Sequence, residues 1–527
     1  MSSQTTLDAA GARRGPLALC LAGVLALAAP ALLFARAGND HGHDHAEHAD
    51  HADHAAEVSA ATILEPAAFE PSAWHAAQPE QPAAILVRGG TIWTSGPDGV
   101  LENADLLIRS GKVAAVGAGL DAPEGAVIIE AQGKHVTPGL IDAHSHSAIV
   151  GGVNEGSNIV TSEVRIADVV YAEDIGLYRQ LAGGLTTANL LHGSANSIGG
   201  QNAIIKLRWG ASADGLLFRR APQGIKFALG ENPKQSNWGV SELRYPQTRQ
   251  GVEQSIRDAF RAALDYRARQ EAYEEAGGAR SGLVPPRPDL QLEALLEIID
   301  GTRLVHSHSY RADEIVMLLE VAKDFGFTVA TFQHVLEGYK VADELAAAGA
   351  GASTFSDWWA FKYEVVDAIP WNGAIMENRG VLTSFNSDSG ELARRMNLEA
   401  AKAVRYGGVE PAEALKFVTL NPAIQLGIDR WVGSLEEGKD ADFVVWSGPP
   451  LSTYSVAEVT YLDGRKYFDR AADLEARERV AEERRLLMDK VRAAEGSGDA
   501  GEEPDPEPEL SDHNHAHDVH PHQEVYR

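Results

Sequence analysis

From Ala84 to Leu120, apolar and polar positions change places in short runs. The stretch AILVRGGTIWTSGPDGVLENADLLIRSGKVAAVGAGL alternates for a few residues at a time and breaks at Gly, Asn and Asp, which predicts short strands joined by tight turns. GLIDA, ending at Ala143, is an apolar run carrying an acid, the pattern of a buried strand reaching a sheet edge. Further on, β-rich apolar runs are followed by helical spacing. TRLVHSHSY precedes RADEIVMLLEVAKDFG, where Ile315, Leu318, Leu319 and Ala322 share one side. FTVATFQH precedes another helix, VLTSFNSDS precedes a helix from Gly390, and IKFAL reads as one more strand. ADLEARERVAEERRLLMDKVRAAEG is rich in strong helix formers of mixed charge and predicts an exposed helix, and the insert from Arg249 to Gly282 has similar charged helical character, a candidate cover for a site or an oligomer interface.

The strand that begins at GLIDA brings the first candidate chemistry, His144 and His146. Side chains along a strand alternate, so two histidines one residue apart present their rings on the same face. That placement suits two nitrogen ligands of one divalent ion, although a solitary HxH is often a pair of surface histidines.

The motifs around this pair resemble the amidohydrolase superfamily of metal-dependent hydrolases. The likeness runs from Ala83 to Asp469, and NPAIQLGIDRWVGSLEEGKDADFVVWSG is similar to the segment with which that family returns to its small β-domain. The resemblance implies an α/β fold, a (β/α)8 TIM-type barrel with a small composite β-sandwich domain from the N- and C-terminal flanks. The expected organisation is a signal peptide or membrane anchor over 1–37 and a His-rich linker over 38–80. The small β-domain takes 81–136 and 428–470, the barrel 137–427, and a charged helix with an acidic, His-rich tail 471–527.

Ligands in such a barrel lie at the C-terminal ends of strands. The likeness assigns metal binding to His144, His146, His308, His334 and Asp388, with Asp388 also the catalytic acid and base. His306 is the alternative to His308, as a ligand or a supporting group. Asp388 could equally cap a helix, because NSDSGEL holds good capping residues. At the fourth-strand position Lys226 sits inside an apolar strand, where an unpaired charge is costly. Its segment resembles that of members whose strand lysine is carboxylated and bridges two metals. Glu231 is the alternative bridge, and an ordinary ion pair for Lys226 is the third possibility. Two Zn2+ ions bridged by carboxylated Lys226 are therefore the implied cofactors.

That likeness implies hydrolysis of an amide-type C–N bond by a metal-bound hydroxide, with small peptides as the leading substrate. The branch is similar to imidazolonepropionase-like and dipeptidase-like members. Cyclic amidase or deaminase action on a small heterocycle, or a catalytically silent binding protein, are the alternatives. His192, Tyr310, Arg311 and Trp358 are candidates for substrate contact, the last beside Asp357 and Trp359.

Composition changes the picture only at the edges. An apolar share of 44% and a charged share of 23% are ordinary for a globular protein of 527 residues. A net charge of −29 excludes nucleic acid as a natural partner, since that demands basic surface. Arg13 and Arg14 precede PLALCLAGVLALAAPALLFA, which predicts export to the periplasm or medium with cleavage after Ala37, or retention as a single anchor facing outward. Membrane contact is expected only through that segment, and a homo-oligomer is expected. Cys20 is the sole cysteine, so no disulfide and no thiolate metal site is possible after cleavage. The tails carry six histidines from His41 to His54 and five from His513 to His522, dense enough for weak transition-metal capture.

Overall fold

The computed structural model describes residues 78–234 and 244–496. The apolar stretch expected to direct export, both histidine tails and Cys20 lie outside the described residues.

An eight-stranded sheet is assembled from the two flanks of the chain. Ala84–Trp93, Val100–Arg109, Lys112–Gly117, Val127–Glu130 and His135–Pro138 join Phe443–Trp446, Ala457–Leu462 and Arg465–Asp469. The junction is the antiparallel pairing of His135–Pro138 with Phe443–Trp446, Phe443 opposite Pro138. One face is apolar because alternation sends Ile85, Val87, Leu106, Ile108, Val136, Phe443 and Val445 to the same side, where they pack together.

Between the flanks, strands are mostly parallel and nearly every residue in them is buried, as expected where helices cover the outer face. Gln223–Ala228, Arg303–Ser309, Val329–His334, Gly351–Thr354 and Thr383–Phe385 pair in that order, with Ile198–Gln201 antiparallel at one edge. Leu140–Ser145 and Leu185–Leu190 pair in parallel, and Ala203–Lys206 runs antiparallel beside them. The ladders are thus split into a six-stranded and a three-stranded sheet. They meet at the future site, where the Asp388 N–H donates to the His144 carbonyl at 3.1 Å.

The helix Ala312–Phe325 buries Ile315, Leu318, Val321 and Ala322 and stops at Gly326, whose φ of 77° allows its N–H to reach the Ala322 carbonyl. The helix Arg249–Glu275 begins at Thr248, whose side chain accepts from the Gly251 N–H. Its Val252, Ile256, Phe260 and Ala263 join Ile225 and Phe227 in the core outside the six-stranded sheet. The charged helix Arg470–Gly496 touches the body near its start, where the Tyr178 hydroxyl donates to Asp473 at 3.0 Å, and is mostly exposed from there to Ala493. No helix among the described residues is long and apolar enough to cross a membrane.

Candidate metal centre

Strand Leu140–Ser145 carries His144 at its end, and His146 follows just past it. Their Nε2 atoms lie 3.3 Å apart. Asp388 comes from the loop after Thr383–Phe385, its Oδ1 3.2 Å from His146 Nε2 and 3.5 Å from His144 Nε2. These three residues offer ligand atoms all within 4.8 Å of one another. His146 Nδ1 contacts the Leu191 carbonyl at 2.9 Å, which leaves Nε2 facing the carboxylate.

The other sequence candidates gather around this trio. His334 ends its strand with Nε2 3.7 Å from Asp388 Oδ2. The His308 ring stands edge-on to His334, centroids 4.7 Å apart. Lys226 Nζ is 3.1 Å from His144 Nε2. Lys226 and His306 are register partners on adjacent parallel strands, and Ala228 and His308 are the next such pair along that face. Two backbones here leave the ordinary regions: His334 has φ of 69° and Asp388 of 42°, the left-handed conformation that costs a non-glycine residue about 1–3 kcal/mol.

Burial sets the charge state of these groups. It pushes the His144 and His308 imidazoles well below their ordinary range, and His306 and His334 to about 3. It also lowers the Lys226 amine to about 7. Burial alone would raise Asp388, but the surrounding His144, His146 and His334 outweigh it and hold the carboxyl well below the usual carboxylate range. His144, His308 and His334 are therefore neutral imidazoles beside a carboxylate. His144 Nδ1 and both ring nitrogens of His308 and His334 are buried with no hydrogen-bond partner. Buried polar atoms left this way are rare, and nitrogen with carboxylate oxygen is what a divalent ion such as zinc takes. The residues present fit such an ion.

A residue outside the candidate set holds the trio together. Asp142 is fully buried, and its Oδ1 accepts from the His144 N–H at 3.2 Å and the Ser387 N–H at 3.0 Å. Its Oδ2 accepts from the Ser387 hydroxyl at 2.5 Å. The acid thereby fixes the His144 strand against the loop bearing Asp388. The signal for it was the acid inside the apolar run GLIDA.

The remaining candidates fall at varied distances. Glu231 heads the short helix Glu231–Lys234, its carboxylate 4.0 Å from Arg249, and is not part of the His144–His146–Asp388 group. His192 uses both nitrogens on backbone, accepting from the Glu155 N–H at 2.8 Å and contacting the Gly193 carbonyl at 2.9 Å; this fixes a loop. Arg311 pairs with Asp313 at 3.0 Å on the surface. Tyr310 is buried edge-on to His308 at 4.5 Å, with Lys362 Nζ 4.6 Å from its ring centroid. Trp358 stacks on Phe355 at 3.9 Å, and Phe355 stacks on His334 at 5.0 Å, so an aromatic wall runs outward from the centre. Trp359 is exposed.

A model of the amidohydrolase family matches residues 135–466, which span every group just placed. The chain belongs to the amidohydrolase family. This amidohydrolase is 30% identical over 427 residues to Amidohydrolase tasK of Hapsidospora irregularis, 73% of this chain but 43% of that one, so it spans less than half of that relative. It is 24% identical over 367 residues to an imidazolonepropionase of Thermoplasma volcanium, covering 66% of this chain and 84% of the relative. A solved amidohydrolase from Thermotoga maritima MSB8 is 33% identical with a TM-score of 0.66, over 73% of this chain and 100% of the other.

Proposed function

We propose that this amidohydrolase cleaves an amide-type C–N bond of small peptides at a centre for two divalent ions, zinc in the first instance. The observation that carries the reading is Lys226. Its amine is wholly buried, 3.1 Å from His144 Nε2, and its one charged attraction is to Asp388. A structural lysine would be expected to pair directly with an acid; a neutral buried amine is instead able to add to carbon dioxide, lose a proton and become a bridging carbamate. His144, His146, His308, His334, Asp388 and the Lys226 carbamate would hold the ions, and His306 would support Lys226 from the neighbouring strand. The two sheets would then be arcs of one (β/α)8 barrel, with the eight-stranded sheet as its composite side domain.

Bound ions of this kind lower the pKa of water and polarise a carbonyl. The chain supplies the rest. Asp388, held ionised, takes the proton of the attacking water and returns it to the departing amine. Asp142 and Ser387 keep that carboxylate in place, and the Leu191 carbonyl fixes the His146 ring. His334 and Phe355 are buried, so of the stack running out from His334 only Trp358, half-buried, is left to meet a substrate side chain. The export segment supports a location outside the cytoplasm.

The test is metal content per chain with the tail histidines replaced, beside turnover of a dipeptide panel and of cyclic amides. Two equivalents of zinc, with dipeptide hydrolysis lost in Asp388→Asn, is the expected result. One equivalent would remove the Lys226 bridge. Turnover of cyclic amides alone would move the reading to the activity for which the Thermoplasma volcanium relative is named.

A further inference from the structure

Arg244 is a half-buried cation without a counter-anion. Its Nη2 donates to the Ala195 carbonyl at 2.6 Å, while Nε and Nη1 are buried and have no partner. No acid among the described residues pairs with it. Burial alone lowers its pKa. The other cations near this end of the strands are matched: Arg249 with Glu314 at 2.5 Å and Glu364 at 2.7 Å, and Lys362 with Glu364 at 2.8 Å. Guanidinium donors withdrawn from water without acceptors are expensive, and an anionic oxygen removes the cost.

The anchor of Arg244 belongs to a loop that borders the candidate centre. Ala195 lies on the loop that leaves strand Leu185–Leu190. The start of that loop, Leu191, contacts His146 through its carbonyl at 2.9 Å. Two residues past Ala195, the Ser197 carbonyl accepts from the Ala228 N–H at 3.1 Å, at the end of the strand bearing Lys226. The loop thus crosses the ends of the strands that carry His146 and Lys226, and Arg244 is fastened to its middle.

We propose that Arg244 reads the free α-carboxylate of the amino acid that departs on hydrolysis. The substrate is then a dipeptide or N-acyl amino acid, whose carboxylate stands one Cα beyond the scissile nitrogen, and not an internal peptide bond or a neutral ring. This rests on the peptide-hydrolysis reading and narrows it.

The experiment uses the full chain loaded with zinc, as wild type, Arg244→Met and Arg244→Lys. Each is given a dipeptide library and the same library as C-terminal amides, with amine release followed by mass spectrometry. Wild type is expected to favour the acids by about 100-fold in kcat/KM, mostly through KM, as the loss of a charge-assisted contact implies. Arg244→Met should erase the preference and Arg244→Lys restore part of it. Equal use of acids and amides by wild type, or an equal loss on both in Arg244→Met, would overturn the proposal. A second readout is binding of N-acetyl amino acids against their amides to the metal-stripped protein by NMR, which should favour the acids in wild type alone. If Asp388→Asn leaves turnover intact, the hydrolase reading fails, and the binding preference still decides Arg244.

Discussion

Lys206 gives the sharpest test of how the flanking sheet is held to the rest of the fold. It is fully buried at the end of strand Ala203–Lys206, and its Nζ lies 2.7 Å from Asp440, 3.0 Å from Asp442 and 2.5 Å from Asp463. All three acids belong to the C-terminal flank. Asp440 keeps Lys112 and Arg220, and Asp463 keeps Arg208 at 2.7 Å, if Lys206 is removed. Asp442 keeps only the Asp463 N–H at 2.7 Å. Lys206→Met therefore strands one buried carboxylate, not three. Breaking a buried pair from one side costs about 3–5 kcal/mol, and the surviving cations put the expectation at about 3 kcal/mol near pH 8. Burial already raises Asp442 to about 6 with Lys206 in place. Without the lysine its folded pKa rises further above that of the unfolded chain, so the folded variant carries the extra proton and its stability falls as pH rises through that window. Urea unfolding at pH 5 and pH 8 should accordingly show the smaller loss at pH 5, and Lys206→Met combined with Asp442→Asn should recover most of it. A loss under about 1 kcal/mol, or one equal at both pH values, would refute the reasoning.

Asp388→Asn should lower kcat by about 10²–10⁴-fold, because the amide cannot carry the proton; steady-state assays on the cleaved substrate check this. Lys226→Met should reduce bound metal from two ions per chain to one, read by elemental analysis. The Lys226 amine has a folded pKa of about 7, below its unfolded value, so the unfolded chain binds more protons between about 7 and 10. Metal-stripped wild type should thus gain thermal stability as pH rises through that range, and Lys226→Met should flatten the slope. Asp142→Ala leaves the buried His144 and Ser387 N–H groups without their acceptor, at about 1–3 kcal/mol each, and should weaken metal affinity by about 10–100-fold in a competition titration.

Much of the candidate centre was legible because strand periodicity fixes which side chains share a face. His144 with His146, and His306 with His308, followed from a spacing of two, and the runs ending at His334 and near Asp388 were recognisable as strands. Register was not legible. That Lys226 faces His306, and that Ala228 faces His308, depends on how two strands slide past each other. Long-range partners were hidden for the same reason: Asp142 meets Ser387, and Lys206 meets three acids, across more than two hundred residues of chain. Ring orientation was out of reach as well. Nothing in the string says that His192 spends both nitrogens on backbone, that Glu231 heads a helix towards Arg249, or that Phe355 is the ring between His334 and Trp358.

The centre is also where local rules are broken together, and the breaks point one way. Two non-glycine residues, His334 and Asp388, hold left-handed backbone. Five imidazole nitrogens on His144, His308 and His334 are buried unpaired, and an amine is buried beside them. Each feature opposes folding of the empty protein by roughly 1–3 kcal/mol. Sequences are otherwise consistent with their fold at every level, so a cluster of contradictions needs a compensating gain. A ligand that binds the folded chain alone supplies such a gain, rising with its concentration above the dissociation constant. The cation, in this view, is part of what makes the native arrangement of these strands worth adopting. The strain at Asp388 has a second use: it turns the carboxylate out of its strand line so that one oxygen faces His144 and His146 and the other faces His334.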